Sequence, residues 1–449
     1  MHFTKEVSPI YHFLKEYARK SGSRLHMPGH KGRVDFYPEP YCSMLPYDIT
    51  EVQGADALYE AEGIIGQSEA VAAKLYGVKE TCFSAGGSTL SIMAMVAVAS
   101  EFTKKILAVR NSHIAFVNAC ALTGVEPVWV FPPYDGETGL CLPATAKEIS
   151  AALDENPDIK AVYLTSPDYY GVTADIEKIS EAVHRHGAIL LVDNAHGAHL
   201  RFGQTDTHPM TLGADLCCDS PHKTLPVLTG GGYFHSNLDI SKEDLKAKMA
   251  LFGSTSPSYL ILASLDLCNQ YLLEQAKDDF VALAQQVQET ETQLRRLGVC
   301  LLERRTDVTK ITVDCQGFGY EDIAVAARLR KYAIEPEYVG GGKIVLMPSP
   351  FNKKADFSRI VSAFRSLPPL PPIPYPDCAF APKRALEIRK AVFAPSERIS
   401  VEDSIGRIAA ENKVTCPPAI PIVTAGERIG EAEKNLLKNS GILSVKVVK

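Results

Sequence analysis

Short apolar runs alternate with stretches of helical periodicity through most of the chain. Strands are predicted at 80–84, 106–109, 127–131, 161–165, 188–192 and 215–218, where short, mostly apolar runs are bounded by polar or turn-forming residues. Helical segments fall between several of them. Such alternation implies a largely parallel sheet covered by helices on both faces, with ligands at the carboxyl ends of the strands. Ahead of it, Ile10, Phe13, Leu14 and Tyr17 recur at three- and four-residue spacing and predict an amphipathic helix over 8–20. A second helix is predicted over 68–76, with Ser68 as N-cap, Val71, Ala72, Leu75 and Tyr76 as its apolar face and Gly77 as its end. A long helical pattern runs from 259 to 297. Strands at 310–313 and 343–347, with helices around 322–332 and near Asp356, then predict a compact α+β domain, and the prolines of SLPPLPPIPYPD (366–377) an extended linker.

At 449 residues the chain has room for about two or three domains. Hydrophobic residues at 46% and charged residues at 22% exclude a disordered chain. A net charge of −6 with interspersed signs gives no electrostatic reason to expect nucleic acid or an anionic membrane as partner. The 11 cysteines include no C-x-x-C pair, so no metal site is expected and they read as the reduced thiols of a cytoplasmic protein. The N-terminus lacks the pattern of a signal peptide, and the longest nearly continuous apolar run, 92–99, is far below the ~20 residues that span a bilayer.

Candidate chemistry concentrates in CCDSPHKTLPVLTGGGYFH (217–235). A Ser-x-His-Lys sequence, Ser220 to Lys223, precedes a glycine cluster, and the strand 188–192 delivers Asp193 to its carboxyl end. This arrangement suits pyridoxal 5′-phosphate: Lys223 would carry the cofactor as an imine, Asp193 would keep its pyridine nitrogen protonated, and Ser220 and His222 would help hold its phosphate. Asp193 could also be a helix cap, but its place 30 residues before Lys223 favours the cofactor role. Upstream, AGGST (85–89) follows a predicted strand: Gly86 and Gly87 let the backbone approach an anion, and Ser88 and Thr89 open a helix. It is neither a Walker A loop nor G-x-G-x-x-G.

Four stretches together, HMPGHKG (26–32), AGGST, DNAHGAH (193–199) and SPHKTLPVLTGG (220–231), resemble the fold-type I, pyridoxal-phosphate-dependent ornithine/lysine/arginine decarboxylase family, in the family's order. The resemblance continues in Gly406-Arg407, PPAIPIV (417–423) and Gly426-Glu427. It implies phosphate contacts from Gly87, Ser88 and Thr89. It also implies a ring of His113 stacked on the cofactor, although Ile114 departs from the polar residue expected beside it. His196 is assigned to the cofactor's phenolic oxygen or to the substrate, and His26, His30 and Lys31 to an arm close to the site. LFGSTSPS (251–258) would reach the partner subunit's phosphate in a homodimer through Ser254, Thr255 and Ser256. His222 and Lys223 are both candidate proton donors.

The implied fold is an α/β, aspartate-aminotransferase-like large domain with a mainly parallel sheet, plus a small α+β domain and a C-terminal α+β domain. Its expected bounds are an arm at 1–50, the cofactor-binding domain at 51–285, the small domain at 286–368 and the C-terminal domain at 369–449. Only about 25 residues precede the first motif, as in the family's short form without a receiver-like domain. The implied activity is decarboxylation of a basic amino acid in polyamine biosynthesis, arginine to agmatine favoured over lysine to cadaverine or ornithine to putrescine. An acidic group must then receive the substrate's distal cation, and Asp48, Glu51, Asp56 and Glu427 are the candidates. The rival readings are another fold-type I enzyme, an aminotransferase or lyase, and a catalytically silent cofactor-binding regulator.

Overall fold

The computed structural model describes residues 3–20, 22–303, 307–375, 382–414 and 420–449. Residues 376–377 of the linker, 378–381 of the C-terminal stretch and 417–419 of PPAIPIV lie outside the described residues. The chain divides into two compact units, one of Met1–Val98 with Leu191–Asp279, the other of Ala99–Leu190 with Phe280–Lys449.

Seven strands, β1 (Glu80–Ser84), β2 (Lys105–Val109), β3 (Glu126–Val130), β4 (Ala161–Thr165), β5 (Ile189–Asn194), β6 (Leu216–Asp219) and β7 (Gly232–Ser236), form one sheet in the order β1-β7-β6-β5-β4-β2-β3. The pairs β2 with β3, β2 with β4 and β5 with β6 are parallel, whereas β7 runs antiparallel to both β1 and β6. The predicted strands fall within a residue or two of the observed ones. Strand β7 escaped prediction because GYFHS ends on polar residues, which are nonetheless buried. His235 meets Thr81 and Asp219, and Ser236 accepts the Leu238 N–H, so burial here follows hydrogen bonding and not apolarity.

Helix α1 (Pro9–Arg19) buries Ile10 and Leu14, and its first turn carries a proline, whose missing N–H costs nothing there. The turn is tied down from a distance. Asp266, wholly buried in the helix Tyr259–Glu274, accepts the Tyr11 N–H at 2.8 Å and the Ser68 hydroxyl at 2.6 Å. Burial pushes the Asp266 carboxyl up to about 7, although these hydrogen bonds work against the shift. Because the folded pKa lies above the ordinary 3.8, the fold favours the protonated acid. That contribution to stability is complete below pH ~4 and is lost as pH rises through about 7. Asp266→Asn stays neutral and keeps an oxygen for Tyr11, so it should flatten the decline of the urea midpoint over this window. An unchanged slope would mean the carboxyl is ionised throughout.

Two helix predictions need correction. Helix α2 spans Ile64–Tyr76 with Gly63 as N-cap; Ser68 is interior and buried. The real capping oxygens belong to Asp56, whose carboxylate accepts N–H groups from Gly63, Ile65 and Gly66 at 2.9, 2.9 and 3.3 Å. The long helical pattern is two helices, Tyr259–Glu274 and Ala276–Arg296, separated where Gln275 leaves helical geometry at φ −132°.

In the second unit, strands Ile311–Asp314, Lys343–Leu346 and Tyr338–Gly340 make an antiparallel sheet with Lys343–Leu346 in the middle, accompanied by helices Asp322–Lys331 and Lys354–Phe364. This is the α+β element that the periodicity predicts. Farther on, Ser396–Ser400 pairs with Ser444–Val448, and Ala409, Val423, Ile429, Val445 and Val447 form a small core. Among the described residues no helix is long and apolar enough to cross a membrane.

Candidate active site

Strands β5 and β6 lie side by side and position two of the candidate side chains. Asp193 sits one residue from the end of β5, 2% exposed, with its Oδ1 accepting from the Ala195 N–H at 3.1 Å and the Cys218 thiol at 3.5 Å. Cys218 is its register partner on β6. Burial, reinforced by the negative charge of Asp193, holds that thiol protonated, so it donates. Directly after β6, the turn Pro221–Thr224 carries Lys223, whose Nζ lies 3.0 Å from His196 Nε2. His222 Nδ1 lies 2.6 Å from the Gly231 carbonyl oxygen. A carbonyl can only accept, so Nδ1 bears the proton.

AGGST forms a cup at the start of helix α3 (Gly87–Ala99). Gly87 has φ +65°, and its N–H reaches the Gly230 carbonyl at 2.7 Å. Ser84 Oγ donates to the Gly87 carbonyl at 2.8 Å and accepts the Gly86 N–H at 3.1 Å. A Cβ on Gly232 would come within 2.8 Å of the Gly87 backbone, so the close approach of β7 to the cup requires glycine. Ser220 and Ser88 meet across the cup with hydroxyl oxygens 2.8 Å apart. The amides that follow Gly87 in the first turn of α3, with two hydroxyls beside them, are of the kind that suits an anion. These residues fit pyridoxal phosphate: an anion cradle, an amine to take the aldehyde, and a buried carboxylate for the ring nitrogen all lie in one unit.

The other predicted residues are placed less directly. Thr89 is exposed in the first turn of α3. His113 belongs to the second unit, half-buried, and N-caps the helix Ile114–Thr123 by accepting the Ala115 N–H on Nδ1 at 3.1 Å. Thr255 and Ser256 are exposed in the turn before Tyr259, where the Ser256 N–H bonds Ser254 Oγ at 3.2 Å. In the arm, His26 meets the Tyr17 hydroxyl at 2.6 Å, Lys31 Nζ bonds the His26 carbonyl at 2.5 Å, and His30 pairs with Asp48 at 3.1 Å. Glu51 accepts from the Thr50 hydroxyl. Asp56 is occupied as the α2 cap described above. Glu427, fully buried in the second unit, pairs with Arg110 at 3.2 Å and accepts the Thr424 N–H at 2.6 Å.

Sequence reasoning missed a buried polar cluster on the opposite face of the sheet from Asp193. Asp219, the last residue of β6, accepts Asn194 Nδ2 at 2.6 Å on Oδ1, and faces His208 Nε2 at 3.0 Å and His235 Nε2 at 3.2 Å on Oδ2. Burial raises its carboxyl, but the two imidazoles outweigh burial and hold it well below the usual carboxylate range. Period-two alternation in CCDS could have assigned Asp219 to the face away from Cys218. Nothing in the sequence signals His208.

Residues 8–324 match the family model described as the Orn/Lys/Arg decarboxylase major domain, and residues 373–440 match that family's C-terminal domain. The uncharacterized protein YaaO of Bacillus subtilis strain 168 is 30% identical, with 98% of this chain and 95% of that protein covered. The arginine decarboxylase of the same strain is also 30% identical, with 95% and 92% covered. The lysine decarboxylase LdcF of Francisella novicida superposes with a TM-score of 0.82, covering 99% of this chain and 81% of that one at 16% identity. The fold is that of the fold-type I pyridoxal-phosphate enzymes.

Proposed function

Since the chain belongs to the Orn/Lys/Arg decarboxylase family of pyridoxal-phosphate-dependent carboxy-lyases, we propose that its substrate is arginine, released as agmatine and carbon dioxide for polyamine synthesis in the cytoplasm. The observation that carries the choice is the near full-length 30% identity to a relative named as an arginine decarboxylase. Lysine and ornithine are the competing substrates. When bound, pyridoxal phosphate supplies a conjugated cationic ring that takes up the electron pair left as carbon dioxide departs.

The residues divide the remaining work. Lys223 would take the aldehyde through Nζ, and it and His222 are the candidates to return a proton to the substrate carbon. His196, 3.0 Å from that Nζ, directs it. Asp193 is a buried carboxylate, the residue type suited to keeping a proton on the ring nitrogen. Gly87, Ser88, Thr89 and Ser220 would hold the phosphate, and the family resemblance assigns His113 to the ring. Asp56 and Glu427 already hold main-chain N–H groups, which makes Asp48 and Glu51 the better receptors for a guanidinium. The test measures carbon dioxide release from arginine, lysine and ornithine by the cofactor-loaded protein. Arginine should lead in kcat/KM by roughly tenfold or more, the discrimination a site tuned to one side chain provides. A lead for lysine or ornithine would reassign the substrate, and keto-acid formation without carbon dioxide would remove the decarboxylase reading.

The working unit is a homodimer in which Thr255 and Ser256 of each copy complete the other's phosphate site. Two observations support it: those hydroxyls are exposed, and the arm presents large apolar side chains to solvent, Leu25 at 92%, Phe36 at 83% and Tyr41 at 64% exposure. Exposed apolar surface of this kind favours association. Mixing Lys223→Ala subunits with subunits carrying both Thr255→Ala and Ser256→Ala should restore part of the activity, because one site in each heterodimer has both halves intact. No recovery from proven heterodimers, or full activity from a monomer, would exclude the shared site.

A further inference from the structure

The register of β5 on β6 aligns Asp193 with Cys218 and Asn194 with Asp219. Successive side chains on a strand point to opposite faces, so Asp193 and Asn194 are back-to-back. We propose that Asp219 is a positioning residue for the cofactor-facing Asp193: it grips Asn194 from behind the sheet and thereby fixes the end of β5 from which Asp193 projects. The proposal rests on the assignment of Asp193 to the cofactor's ring nitrogen made above.

The grip is built from several elements. The 2.6 Å bond from Asn194 Nδ2 enters a carboxylate that is wholly buried, and Asn194 is wholly buried as well. A Cβ on Gly197 would overlap Asn194 Oδ1 at 2.0 Å, so the turn after β5 closes directly over this side chain. On the other oxygen sit two imidazoles, and the far nitrogen of His208 fixes its tautomer. Met210 donates its N–H to His208 Nδ1 at 3.3 Å, and the Thr81 hydroxyl lies 2.9 Å from His235 Nδ1. His208 therefore presents Nε2–H to Asp219. The Tyr76 ring packs on both imidazoles, with centroids 4.5 Å from His235 and 5.2 Å from His208.

His208, Cys217 and Asp219 also have ligand atoms within 4.8 Å of one another, the spacing of a metal site. The tautomer decides against that use. A metal-bound histidine donates its second ring N–H outward, whereas His208 Nδ1 accepts from a backbone N–H. A satisfied anion cage leaves a carboxylate whose geometry is set on every side, and Asn194 links it to β5.

Asn194→Ala cuts that link and leaves His208 and His235 on the other oxygen of Asp219, so the fold should persist. The variant should bind pyridoxal phosphate, lose kcat by roughly 10- to 100-fold with KM within about threefold, as supporting residues typically do, and show a weaker visible circular dichroism band, which reports the tilt of the bound ring. Asp219→Asn should behave alike, because its amide would face the Asn194 amide donor to donor. Combining Asp219→Asn with Asn194→Asp restores a donor-acceptor pair and should recover most of both signals. Wild-type kcat and dichroism in Asn194→Ala would overturn the proposal, as would failure of the exchanged pair to recover either signal, or stoichiometric metal in the purified wild type. A wild-type protein that takes up no cofactor would instead count against the underlying functional reading.

Discussion

Lys223→Ala abolishes turnover, with a loss of ~10⁴-fold or more, because the amine that receives the aldehyde and returns a proton is gone. The wild-type protein should carry a visible absorbance band that the variant lacks. Borohydride should bleach the wild-type band and leave a phosphopyridoxyl group on the peptide bearing Lys223. The structural reason for a single labelled site is that Lys223 Nζ stands 3.0 Å from His196 in the unit that also holds the cup and Asp193. Lys246, by contrast, is 2% exposed, bonds the Leu58 carbonyl and pairs with Glu69 at 2.7 Å. Lys31 is committed to the His26 carbonyl in the arm. Recovery of the label on Lys31, or on any lysine other than Lys223, would remove the central assignment.

Asp193→Asn should keep the cofactor and lose about a thousandfold in kcat. A carboxylate about 4 Å from a cation, in surroundings with an effective dielectric near 20, interacts by about 4 kcal/mol. Losing that from the transition state is about three powers of ten in rate. The neighbouring contacts favour a clean experiment. Asp193 receives the Ala195 N–H and the Cys218 thiol on one oxygen, and an asparagine can accept both on its Oδ1. The fold should therefore survive and the loss be confined to chemistry. A variant with near-normal kcat would show that Asp193 serves as a cap for the turn after β5, the role its bond to Ala195 already fills.

Much of the site's chemistry was legible because it is local. Ser220 to Lys223 sit within one turn, AGGST is a strand-to-helix junction, and Asp193 follows a run of apolar residues; each can be read within a dozen residues of chain. What escaped was the set of partners. Ser68 looks like a helix cap in sequence, yet its hydroxyl goes to Asp266 and the cap comes from Asp56. Asp266 is distant in the chain, and Asp56 caps the helix from seven residues ahead of Gly63, where no N-cap is sought. Strand β7 reads as too polar for the middle of a sheet, but the two histidine-bearing segments around Asp219 solvate one another inside the core.

The sequence by itself determined the alternation that makes a parallel sheet, the glycines of the AGGST turn, and the lysine, aspartate and serines proposed to meet a cofactor. Those follow from periodicity and backbone geometry, which are properties of neighbouring residues. Only the tertiary structure decided that β7 runs antiparallel between β1 and β6, that Asp56 and Glu427 are occupied by backbone and guanidinium groups, and that Asp219 stands behind Asn194 with His208 and His235. The physical reason is that a buried charge is tolerated only where hydrogen-bond partners converge on it, and convergence from distant segments exists only once the chain has folded.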